Sequence, residues 1–124
     1  MSKYGARKVQ IDGILFDSRK EARRYRELKL LERAGAICDL ELQKAFELIP
    51  AQYEPSNEVY KRGAKAGQPK RGKCIENSVT YIADFCYTEN GVTVVEDTKG
   101  FKTKDYIIKR KLMLYVHGIR ITEV

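Results

Sequence analysis

A chain of 124 residues, 43% apolar and 10% aromatic, has the size and make-up of one folded domain, which excludes wholesale disorder, collagen-like repeats and a second folded unit. Lys and Arg total 24 against 17 Asp and Glu, a formal charge of +7, and such an excess on a small domain favours polyanionic partners, nucleic acid first. No apolar run approaches the ~18 residues of a membrane span, and the polar start MSKYGARK lacks a secretory apolar stretch, so a cytoplasmic protein away from membranes is expected.

In chain order, Val9 to Phe16 alternates around Asp12-Gly13, a short β-hairpin pattern. Ser18-Arg19-Lys20-Glu21 is a capping box that opens a helix running to about Ala34 and stopping at Gly35. Ile37–Leu42 and Ala45–Ile49 read as strands, or as one long bent strand, ended by Pro50. Residues 51–73 change character: prolines and glycines sit among Lys, Arg, Gln and Asn, which predicts a flexible basic excursion between two strands. Ser78–Tyr87 is a strand, Glu89-Asn90-Gly91 a turn, and Val92–Lys99 the antiparallel partner. Thr103 can cap a second helix from Lys104 to about His117; its many apolar residues predict that it is largely buried. Gly118 ends it, and Ile119–Val124 makes a final strand. The order predicts an α/β domain spanning 1–124, helices packed on a central sheet.

The basic excess is clustered. Six basic residues between Glu54 and Lys73 face only Glu54 and Glu58, and seven between Thr98 and Val124 face only Asp105 and Glu123. Cys38, Cys74 and Cys86 show no CxxC or CxxH spacing, so reduced thiols in or near the core are expected rather than a zinc site. His117, the single histidine, stands at a helix end, where capping accounts for it. The eight tyrosines are expected mostly in the core, with Tyr53 and Tyr60 in the basic loop as candidate base-stacking rings.

Two carboxylates and a lysine carry the chemistry. In a simple hairpin turning at 89–91, Asp84 and Asp97 lie approximately opposite and share a face. Strand parity puts Lys99 on that face too, while Glu96 and Thr98 point away, so a change at Glu96 should be nearly silent. Two like charges there repel unless a cation lies between them, and a divalent metal with Lys99 answers that need. The plainer alternative is an ion cluster at a sheet edge. Glu21 has two candidate roles. It completes the capping box with Ser18, and it heads the stripe Glu21, Tyr25, Leu28 that faces the sheet, where a carboxylate needs a partner.

Glu21 in an early helix, then Asp84, then Asp97-Thr98-Lys99 before a helix and a strand resembles the PD-(D/E)XK nuclease superfamily. Phe16–Ala22, Tyr81–Phe85 and Glu96–Gly100 resemble a phage and prophage family within it, with Ala83 in place of the superfamily's proline. The resemblance implies a restriction-endonuclease-like core, a central mixed sheet flanked by helices. It implies a Mg²⁺- or Mn²⁺-dependent DNA endonuclease, with branched DNA of the Holliday-junction type as one substrate by analogy, in phage recombination or packaging. Asp84, Asp97, the Thr98 carbonyl and Glu21 would hold metal, Lys99 would assist catalysis, and two copies could pair as a homodimer in the host cytoplasm. The other reading is a non-catalytic basic module that binds nucleic acid.

Overall fold

The two Asx-Gly dipeptides set both hairpins. In a computed structural model describing residues 8–124, Asp12-Gly13 and Asn90-Gly91 all have positive φ, the backbone that a two-residue turn with the right strand twist requires. The first pairs β1 (Val9–Ile11) with β2 (Ile14–Phe16), and the second pairs β6 (Val79–Glu89) with β7 (Val92–Asp97). All but the last residue of the MSKYGARK start lies outside the described residues.

Helix α1 (Arg19–Arg33) opens as its capping signal predicts, Ser18 Oγ accepting from the Glu21 N–H at 3.1 Å, and Gly35 follows its end at φ 79°. Its stripe of Glu21, Tyr25 and Leu28 is buried. Next, β3 (Cys38–Ile49) is a single strand of 12 residues. The main sheet has the order β3-β6-β7-β8, where β8 (Thr122–Glu123) runs parallel to β7 and the other pairs are antiparallel. Helix α2 (Lys104–His117), capped by Thr103 and ended by Gly118 at φ 68°, connects β7 to β8. The fold is mixed α/β: a central mixed sheet with two helices.

The core has two parts. Tyr106 and Met113 of α2 pack with Leu48, Tyr81, Ala83 and Val95, whereas Ala22, Tyr25 and Leu28 of α1 pack with Phe16, Phe85 and Tyr87. Alternate residues of a strand share a face, yet Tyr81 and Ala83 go with α2 while Phe85 and Tyr87 go with α1. The facing of β6 therefore reverses at Asp84. Its neighbour β3 reverses at the same level: Leu40 and Leu42 lie with the α1 core, Phe46 and Leu48 with the α2 core. Between them Gln43 has φ 53°, a left-handed conformation that turns the strand over.

Three expectations need correction. The 51–73 segment is not a loose excursion but a paired arm: β4 (Gln52–Tyr53) pairs with β5 (Cys74–Glu76), and Val59 bridges Pro69 further out. The arm's strands approach so closely that a Cβ on Gly72 would stand 2.0 Å from the Glu54 carbonyl oxygen, so only glycine fits there. Helix α2 is not largely buried. It covers the sheet with one stripe, Tyr106 and Met113, and leaves Ile108, Leu114, Val116 and Tyr115 (88%) exposed, because among the described residues nothing packs on its outer side. Of the cysteines, all free, only Cys86 is buried; Cys38 and Cys74 are exposed. The tyrosines divide likewise: Tyr25, Tyr81, Tyr87 and Tyr106 are core, Tyr115 is not. Among the described residues no helix is long and apolar enough to cross a membrane.

Candidate functional site

The β6–β7 ladder runs from Glu89↔Val92 to Phe85↔Glu96. One step further, Asp84 and Asp97 would face each other, as the hairpin arithmetic predicts, but the ladder stops there and the strands part. Asp84 fills the gap with its side chain: Oδ2 accepts from the Thr98 N–H at 2.9 Å and from the Thr98 hydroxyl at 2.8 Å. Strand β7 itself ends at Asp97, so Thr98 and Lys99 belong to the turn leading to α2, and Lys99 is not placed by strand parity.

Asp97 is almost fully buried, at 1% exposure. Its Oδ2 accepts from the Tyr81 hydroxyl at 2.6 Å. Its Oδ1 is buried with no hydrogen-bond partner, and the nearest cation is the Lys99 ammonium at 3.6 Å. Lys99 Nζ also lies 5.1 Å from the centre of the Tyr106 ring, so two weak attractions hold it over the site. Burial pushes the Asp97 carboxyl above the usual carboxylate range; the Tyr81 bond opposes this, the Asp84 charge adds to it, and Lys99 opposes it. An unpartnered buried carboxylate oxygen is costly. A cation beside it would remove that cost.

Glu21 reaches the same place from α1. Ser18 makes its half of the capping box, but the Glu21 carboxylate, 6% exposed, is bonded by the Gln43 amide at 3.3 Å. Its carboxyl is pushed up to about 7, first by burial, then by the charges of Asp84 and Asp17, with Asp97 adding a smaller share. The folded protein thus holds this proton more tightly than the unfolded chain does, whose group titrates near 4.5. Stability from this group is complete below pH 4.5 and is lost as pH rises through about 7. Glu21→Gln should remove that slope and leave the variant about 1–3 kcal/mol more stable than wild type at pH 8 without metal. Urea denaturation at pH 5 and pH 8 measures it; an unchanged pH slope in the variant would assign the slope to another group.

Glu96 faces the other way, as parity predicts, but it is not an idle residue. At 1% exposure it accepts two bonds of 2.7 Å from Arg24 Nε and NH2, and a third from the Tyr87 hydroxyl. That buried pair ties α1 to the inner sheet.

The structure thus brings Asp84, Asp97, Lys99 and Glu21 to one end of the sheet, with Thr98 bound to Asp84. Among the described residues no group of three or more His, Cys, Asp or Glu side chains is placed to hold a metal by itself. His117 lies apart, its Nε2 2.7 Å from the Glu47 carbonyl oxygen. Sequence reasoning missed Tyr81 and Gln43, whose roles depend on long-range pairing and leave no local signal. It also missed Arg19, Arg23 and Arg26, exposed residues at i, i+4 and i+7 on α1 that line one hollow of about 280 Å³. None of these three makes an ion pair among the described residues; the helical spacing was the available signal.

No curated protein and no solved structure matches the chain. A family model does match, over residues 1–122. By that match, across nearly its whole length, the chain belongs to the family described as protein of unknown function DUF1064.

Proposed function

We propose that the protein is a metal-dependent DNA endonuclease with a restriction-endonuclease-like core, acting at the end of the sheet where β6 and β7 part. The observation that carries this reading is the unpartnered Oδ1 of Asp97, buried beside Lys99 and within electrostatic reach of Asp84 and Glu21. A purely structural cluster has no reason to bury a carboxylate oxygen unbonded among other carboxylates. A hard dication does fit: Mg²⁺ keeps several waters and asks for only one or two carboxylates, so a full protein cage is not required. Asp97 and Asp84 would hold it, with the Thr98 carbonyl and, across the site, Glu21.

Bound there, Mg²⁺ or Mn²⁺ supplies Lewis acidity toward the scissile phosphate and an acidified water. The chain's own residues do the rest. Tyr81 fixes Asp97 in one orientation, Thr98 fixes Asp84, and Lys99 orients the attacking water or neutralises charge developing on the phosphate oxygens. The unpaired arginines of α1 and the lysines of the arm bring the backbone in.

Two measurements test this. Mg²⁺ or Mn²⁺ should raise the melting temperature of wild type, and the metal-loaded protein should nick supercoiled, linear or branched DNA. If neither occurs with any DNA form, the absence of a three-ligand group becomes the deciding observation, and the protein is a non-catalytic nucleic-acid-binding module.

Binding itself should be salt-sensitive and largely sequence-independent, since phosphate contacts release counterions. Reversing Lys61 and Arg62 together should lower the steepness of log affinity against log salt by about 2. Anisotropy titrations across a salt series read this directly; affinity unmoved by salt would mean that the charge serves solubility alone.

A further inference from the structure

The arm holds a hollow of about 620 Å³, larger than those described beside the core, lined by Asn57, Glu58, Tyr60, Lys61, Arg62 and Lys70 among others. We propose that this hollow is a subsite for an unpaired nucleotide of a nucleic-acid strand, its base stacked on the Tyr60 ring and its phosphates held by Lys61, Arg62 and Lys70. The inference rests on the nucleic-acid reading above but not on cleavage.

Four observations carry it. First, the hollow is built. The Tyr60 N–H donates to the Gln68 carbonyl at 3.0 Å, the Tyr60 carbonyl accepts from Gly67 at 2.8 Å, and Lys70 N–H donates to Glu58 at 2.8 Å. Tyr60 is thereby pinned on both sides of its own peptide while its ring is left to the hollow. Second, the size fits, since small-ligand sites run to about 300–1,000 Å³. Third, the lining combines what a nucleotide asks for: an aromatic face, an amide at Asn57 for a base edge, and three cations against one carboxylate. Fourth, the ring already attracts cations, with the Lys65 and Lys70 ammonium groups each 5.7 Å from its centre. Exposed cation–π contacts are weaker than base stacking. A base can therefore take the ring while the lysines move to its phosphates.

The geometry selects a substrate class. In a duplex both faces of every base are stacked on neighbours, so a base reaches Tyr60 only where it is unpaired, at a branch, a flap or a single-stranded end. Arg71, stacked 4.3 Å from the Tyr53 ring centre at the base of the arm, extends the same chemistry toward the sheet.

The test uses the full chain in EDTA, so that binding is measured without cleavage. Wild type should bind a single-stranded 20-mer more tightly than the matching duplex. Tyr60→Ala should weaken single-strand binding about tenfold, the worth of one base–aromatic stack, and duplex binding less than twofold. Tyr60→Phe keeps the ring and should bind as wild type does. A 2-aminopurine placed in the single strand should lose fluorescence on binding wild type and Tyr60→Phe but not Tyr60→Ala. Free dTMP should compete only at far higher concentration; competition at equal concentration would make the hollow a mononucleotide site instead. Equal losses on single strand and duplex, or no loss at all, overturn the proposal. A protein that cuts no DNA but passes this binding test would refute the endonuclease reading and leave this one standing.

Discussion

Asp97→Asn should fold, bind DNA at least as well as wild type, and lose Mg²⁺-dependent cleavage by about 10³-fold or more. The argument begins with burial. Asp97 sits at 1% exposure with one oxygen bonded to Tyr81 and the other bonded to nothing. An asparagine keeps the shape, and its oxygen still accepts from Tyr81, so packing is preserved. What disappears is a negative charge that Asp84 and Glu21 both oppose. Without metal the variant should therefore melt no lower than wild type. Affinity for DNA should hold or rise, because one repulsion toward phosphate is gone. The metal-induced rise in melting temperature should vanish with the charge. Nicking assays and thermal melts with and without Mg²⁺ check both halves. A variant that cleaves like wild type would remove Asp97 from the chemistry. One that loses DNA affinity along with cleavage would mean that it had lost its fold.

The largest stability effect is expected on the opposite face. Arg24→Ala should destabilise the protein by about 3–5 kcal/mol, because it leaves the Glu96 carboxylate buried without its countercharge. Against a total stability of roughly 5–15 kcal/mol, that brings the protein close to unfolding. Tyr87 would remain as a donor, but one neutral hydroxyl does not replace a two-pronged guanidinium. Glu96→Gln is milder, about 1–3 kcal/mol: the amide oxygen still accepts, and Arg24, 26% exposed, retains Glu27 at 2.8 Å. This revises the expectation that Glu96 is nearly silent. It should be silent in cleavage per folded molecule and costly in stability. Urea denaturation separates the two residues from Asp97 cleanly, since Asp97→Asn moves activity and these move the melting curve. If Arg24→Ala unfolds within 1 kcal/mol of wild type, water reaches Glu96 and the pair is not buried in solution.

Much of this protein is decided locally, and there the amino-acid sequence suffices. Asp12-Gly13 and Asn90-Gly91 admit the positive φ angles that hairpins need, and Ser18 and Thr103 cap helices where their side chains meet the first free N–H groups. Once the second turn is placed, the register follows by counting, which is why Asp84 and Asp97 could be set opposite each other from the chain alone. Parity then separated Glu96 from Asp97 correctly. Tertiary structure decided the rest, because the rest depends on partners far along the chain. Arg24 finds Glu96 72 positions away, and Gln43 finds Glu21 22 positions back. The reversal of facing at Asp84 and Gln43 breaks the alternation from which parity arguments start, and no residue type announces it. Helix α2 carries apolar residues all round, and only the assembled sheet shows that a single stripe is covered. The arm's pairing likewise joins Gln52 to Glu76, across a stretch whose prolines and glycines mask any strand pattern. Local rules fix what each segment becomes; burial, which turns a carboxylate from a surface charge into a site, exists only after the segments have met.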